Sequence, residues 1–138
     1  MKWFFLVLLP VIVEGSTQKI GKDSCYAQLD TLTKLEVYKF VDIMPSVEGG
    51  MNVLYTDISR QLGKIDADEK VDQGKIVIAF IIDTTGQVIG ERVIKGAAGS
   101  ELMNGILETI RKAKWKPGSC KGTPVPVIQL LPIYIDFK

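Results

Sequence analysis

The chain has 138 residues, room for one domain and little more. Its composition, 46% apolar and 24% charged, is that of an ordinary globular protein, and a net charge of +1 argues against bulk attraction to nucleic acid or anionic lipid. With no histidine, the usual general base at neutral pH and the commonest metal ligand are both missing.

Lys2 is followed by an apolar run, Trp3 to Val13. A membrane-spanning helix needs about 20 apolar residues, so this run is too short to cross. A positive start, a short apolar core and then small residues predict a secretory signal over residues 1–15. Val13 and Gly15 fall at the −3 and −1 positions of a cut before Ser16. The alternative is an uncleaved N-terminal anchor. Residues 16–40 are polar and mixed and read as a linker, leaving 41–138 as the domain. Export permits a disulfide. Cys25 and Cys120 either pair or stay as thiols, since sequence gives no geometry. A bond between them in the exported protein is predicted.

Gly49-Gly50 opens onto an amphipathic helix. Met51, Leu54, Tyr55, Ile58 and Leu62 recur at helical spacing and form one stripe, which reads as core-facing; Gly63 is a fitting stop. Ile65 to Asp72 is charged and reads as a surface connection. Lys75 to Ile82 is nearly all β-branched or aromatic, with Ile76, Ile78, Phe80 and Ile82 on one face and Val77, Ala79 and Ile81 on the other. Both faces of that strand should be covered. Asp83-Thr84-Thr85-Gly86 predicts a turn, and Gln87 to Lys95 a returning strand. A second helix starts near Ser100, a good N-cap, and buries Leu102, Met103, Ile106, Leu107, Ile110 and Ala113. Arg111, Lys112 and Lys114 suit its C-terminal end, and Pro117-Gly118 prevents continuation. Trp115 reads as a residue that closes the core between sheet and helices. A last apolar strand runs from Val125 to Phe137.

No catalytic constellation, metal-ligand spacing or cofactor motif stands out. Gly96 to Ser100 ahead of a helix has the form of an anion cradle, but without a phosphate-binding lysine it reads as a loop with an N-cap. The basic cluster from Arg111 to Lys121 reads as a solvated helix end.

The last strand carries the most informative detail. Pro124, Pro126 and Pro132 all occupy even positions. In a regular strand the N–H and C=O of one residue point to one side and those of the next to the other, so the three missing donors fall on a single side. The odd side keeps its donors for a neighbouring strand, and the even side is expected to be an open edge, with Ile128 and Leu130 presenting main-chain groups there. Such an edge accepts an extended peptide by strand addition, or its prolines merely block aggregation.

Several stretches in order resemble one family. They are Gly49-Gly50 before a helix, Gln73-Gly74-Lys75-Ile76-Val77-Ile78-Ala79-Phe80 with Asp83 and Gly86, Val93-Ile94-Lys95, Lys114-Trp115-Lys116-Pro117-Gly118, Gly122-Thr123-Pro124-Val125 and Leu131-Pro132-Ile133. Together they resemble the C-terminal domain of TonB proteins, over about Val41 to Lys138. The resemblance implies an α+β fold with a three-stranded antiparallel sheet and two helices on one face. It implies a non-enzymatic, periplasmic protein without cofactor or metal, which binds the TonB box of outer-membrane transporters by strand pairing along the last strand and takes part in energy-coupled transport. The residues matching that surface are Pro126, Ile128, Leu130, Pro132 and Tyr134. Inner-membrane motor proteins are further partners on this reading, and nucleic acid is not. The alternative is an envelope scaffolding protein that self-associates through its edge strand as a homodimer.

Overall fold

The computed structural model describes residues 25–63, 74–96 and 100–135. The expected signal, the charged connection from Ile65 to Asp72 and most of the Gly96–Ser100 loop lie outside them, as does the Ser100 side chain. Among the described residues the elements run β1 (Ala27–Leu29), β2 (Glu36–Tyr38), β3 (Ser46–Val47), α1 (Met51–Leu62), β4 (Gly74–Ile82), β5 (Val88–Lys95), α2 (Ser100–Lys112), β6 (Trp115–Lys116), β7 (Gly118–Cys120), β8 (Thr123–Val125) and β9 (Val127–Ile135). No described helix is long and apolar enough to cross a membrane.

The α+β class holds, but the main sheet has five strands, in the order β1-β2-β9-β4-β5, where the sequence reading expected three. β4, the most apolar segment, lies between β9 and β5 and is antiparallel to both. The two additional strands come from residues read as linker. They are three residues each and carry no stretch long enough for an alternation signal, so only tertiary pairing reveals them. β2 joins β9 in parallel at Tyr38 opposite Val127, and β1 lies antiparallel outside it.

Both faces of β4 are buried. On one, Ile76, Ile78, Phe80 and Ile82 meet Leu54 and Ile58 of α1 and Leu102, Ile106 and Ile110 of α2, with Leu131 and Ile133 from β9. On the other, Ala79 and Ile81 are buried, and the β1–β2 turn lies close by: a Cβ placed on Gly90 would meet Thr33 Cγ2 at 2.7 Å and Ile81 Cδ1 at 3.5 Å. Asp30 in this turn is buried and ion-paired to Arg92 of β5. Burial pushes the Asp30 pKa up, but the hydroxyl and N–H of Thr33 and the Arg92 guanidinium outweigh it and hold the carboxyl below its ordinary value. Cys25 and Cys120 are joined, with Cα atoms 6.2 Å apart, so the start of the hairpin is tied covalently to β7.

Trp115 is 9% exposed. Its ring centroid lies 5.4 Å from that of Phe80, and its Nε1–H donates to the Ile110 carbonyl at 3.1 Å. The β4–β5 turn docks against the same segment. Gly86 has φ +92°, and a Cβ there would stand 2.5 Å from the Trp115 carbonyl oxygen. Only glycine meets both demands. Asp83 closes that turn by accepting from the N–H and hydroxyl of Thr85 and the N–H of Gln87.

The apolar run expected as one last strand is broken. Pro126 ends β8, which folds back on β7 through Lys121-Gly122, both at positive φ, the geometry of a tight two-residue hairpin. β9 proper begins at Val127.

Candidate functional site

The direction of the β9 backbone decides what its outer side offers. Pro132 stands opposite Val77 of β4 and has no N–H. That pair is therefore a non-hydrogen-bonded one, and Leu131 opposite Ile78 and Ile133 opposite Ile76 are the bonded ones. The main-chain groups of Ile128, Leu130, Pro132 and Tyr134 then point away from β4. Two bonds agree with this assignment. The Pro126 carbonyl, in the same even-numbered phase, accepts from the Tyr38 N–H of β2 at 2.9 Å. The Pro132 carbonyl accepts from the Tyr55 hydroxyl of α1 at 3.3 Å.

The five residues singled out in the sequence do not have the same surroundings. Pro126 and Ile128 stand beside β2. In a parallel pair, the residue opposite Val127 bridges both of Val127's neighbours. Tyr38 thus takes the Pro126 carbonyl and faces the Ile128 N–H. Beyond Tyr38, no described strand lies alongside β9. Leu130 keeps both its N–H and C=O on this free stretch, and its side chain is 54% exposed. Pro132 offers only a carbonyl, already met by Tyr55. Tyr134 is 70% exposed, and the Lys75 ammonium lies 5.6 Å from its ring centroid.

Along the free stretch runs a groove of about 410 Å³ between α1 and β9, lined by Tyr55, Ile58, Ser59, Leu62, Pro132, Ile133 and Tyr134. Tyr55, Ser59 and Leu62 were not among the site residues expected from sequence. Tyr55 and Leu62 belong to the helical stripe expected to face the core, but of that stripe only Leu54 and Ile58 are buried, Leu62 is partly buried, and Met51 and Tyr55 are exposed. What marks them is position: the Tyr55 hydroxyl reaches the Pro132 carbonyl, and Tyr55, Ser59 and Leu62 line the groove beside β9.

Cys25, Asp42 and Cys120 place their ligand-type atoms within 4.8 Å of one another. The two sulfurs are bonded to each other and so are not thiolates, which a metal site would need. Asp42 instead accepts from the Lys121 N–H at 2.7 Å and steadies the β7–β8 turn.

The sheet, the two helices over one face and the partly free last strand can be set beside known families. A family model described as Gram-negative bacterial TonB protein C-terminal matches residues 65–137. The chain belongs to the TonB C-terminal family. No match was found among curated proteins or among solved structures. The span matched to TonB runs from the approach to β4 through β9, and leaves β1, β2, β3 and α1 outside it. The TonB C-terminal family is non-enzymatic and associated with transport, and its domains interact with outer-membrane transporters.

Proposed function

We propose that this chain is an exported, non-enzymatic TonB C-terminal module that binds TonB-dependent outer-membrane transporters by strand pairing, and so takes part in energy-coupled transport across the outer membrane. The observation that supports this most is the free stretch of β9: Leu130 turns a main-chain donor and acceptor outward with no described strand opposite. An exposed edge of this kind is a template for another strand. Pro132 and the β2 contact at Val127 bound the stretch on both sides, which limits the register a partner can adopt.

The TonB family supports an envelope location, and the N-terminal apolar run supports export into the periplasm. Mass spectrometry of the mature N-terminus tests the cut before Ser16; retention of residues 1–15 means an anchored protein instead. For the docking surface, a photo-crosslinking residue at Leu130 should capture a transporter-box peptide. The same residue at Ile94, on β5 at the opposite border of the sheet, should not. Capture at Ile94 without capture at Leu130 overturns the proposal.

One observation favours a second reading. β1 is the outermost strand at the other border, and its three residues are all exposed, which leaves a further edge for self-pairing as an envelope scaffold. Sizing in solution distinguishes it: a dimer that persists in excess transporter peptide supports self-association.

A further inference from the structure

We propose that the groove beside β9 is a side-chain selectivity site: it takes one uncharged, apolar side chain from the docked segment and rejects a charged one. The inference rests on the strand-pairing reading above and deepens it. The occupant is an extended chain, because a strand paired at Leu130 and continuing along β9 passes the groove that Pro132, Ile133 and Tyr134 line. Neighbours across a strand pair share a face. Leu131 and Ile133 face the helices. The residue of an added strand that lies beside Ile133 therefore projects to the helix side as well, into the space under Tyr55.

The chemistry of that space is set by its lining. Ile58 and Ile133 are buried and form the floor, and Tyr55, Ser59 and Leu62 of α1 border it. Ser59 and Tyr55 supply the polar side-chain atoms on this face, and none of the seven lining residues carries a charged side chain. Ser59 Oγ already donates to the Tyr55 carbonyl, and the Tyr55 hydroxyl to Pro132. A carboxylate or ammonium entering here would lose water and meet no counter-charge among the described lining residues. The nearby Lys75 ammonium lies on the other face of the sheet, because Lys75 and Tyr134 are a cross-strand pair in the opposite phase to Ile76 and Ile133. Tyr55 thus has two roles: it occupies the outward Pro132 carbonyl, so that an added strand bonds at Leu130 instead, and it borders the groove.

The test uses the oxidised full chain and short synthetic serine- and threonine-rich peptides in which one position at a time carries Leu, Asp or Arg. At the position that meets the groove, Leu should bind about ten- to a hundredfold more tightly than Asp or Arg, the range expected for burial of one such side chain. At the adjacent positions, on the other face, the three should differ little. Ser59→Lys places a cation in the lining at an exposed helical position that tolerates it. It should weaken the Leu peptide and improve the Asp peptide at that one position. Equal binding of Leu and Asp at every position, with binding still weakened by Leu130→Pro, overturns the selectivity site and leaves strand pairing standing. If Leu130→Pro leaves binding of every peptide unchanged, strand pairing itself is wrong and the groove proposal falls with it.

Discussion

Two proline substitutions one residue apart on β9 should have opposite consequences. In Leu131→Pro the lost N–H belongs to a bonded pair with Ile78, so the Ile78 carbonyl is left without its donor inside the sheet. That costs about 1–3 kcal/mol. The Leu131 side chain is only 2% exposed and packs in the main core, and replacing it with the shorter ring forfeits about another 2–4 kcal/mol. The sum approaches the whole stability of a small domain, about 5–15 kcal/mol, so this variant should be largely unfolded or close to it. In Leu130→Pro the lost N–H points outward, no β4 bond is broken and the side chain is already half exposed; the cost should be about 1 kcal/mol or less. Gln129 is already extended, as a residue before proline prefers. Loss of one edge donor should weaken transporter-box peptide binding about two- to tenfold. Leu130→Ala, which keeps the N–H, separates the donor from the side chain and should bind within about twofold of wild type. Urea unfolding gives the stabilities and peptide titration the affinities. If Leu130→Pro unfolds the protein while Leu131→Pro does not, the phase assigned to β9 is inverted. If both fold and bind like wild type, the edge is not the docking surface.

Three further outcomes are expected. Trp115→Ala should lose about 3–5 kcal/mol in urea unfolding, because the indole fills the space beside Phe80 and its N–H caps the end of α2; a variant that melts like wild type but fails to bind peptide would make Trp115 a ligand contact instead. Reducing the Cys25–Cys120 bond, which closes a loop with a separation of 95 residues, should lower stability by up to about 4–5 kcal/mol, and thiol labelling of the denatured, unreduced protein should find no free cysteine. Asp30 has a folded pKa below its reference of 3.8, so its contribution is complete above that value and is lost as pH falls through the lower folded one. The stability gap between wild type and Asp30→Asn should therefore be widest near neutral pH and narrow below pH 3.8; a gap that grows on acidification contradicts the Arg92 pairing.

Residues whose neighbours are near in sequence, or whose side chains follow a strict period, disclosed their structure directly. Leu54 and Ile58 within the stripe from Met51 to Leu62 did so because burial of one helix face imposes a spacing, and the run from Lys75 to Ile82 did so because burial of both faces of a strand leaves a continuous apolar stretch. Pro132 likewise marked which side of β9 faces away from β4, since a missing donor is a property of the backbone alone; Pro124, expected on the same side of one last strand, belongs instead to β8. Other features depend on contacts far apart in the chain. Ala27–Leu29 and Glu36–Tyr38 are strands only because Tyr38 meets Val127 and Asp30 meets Arg92; three residues are too few to show a period, so their local sequence gives no sign of it. Pro126 could be read as a donor-free position, but that it separates β8 from β9 follows from the tight Lys121-Gly122 turn that folds β8 onto β7. The extent of the free edge was decided in the same way. Ile128 and Leu130 are equivalent in phase, and it is the arrival of β2 from a segment some ninety residues earlier that covers one and leaves the other open.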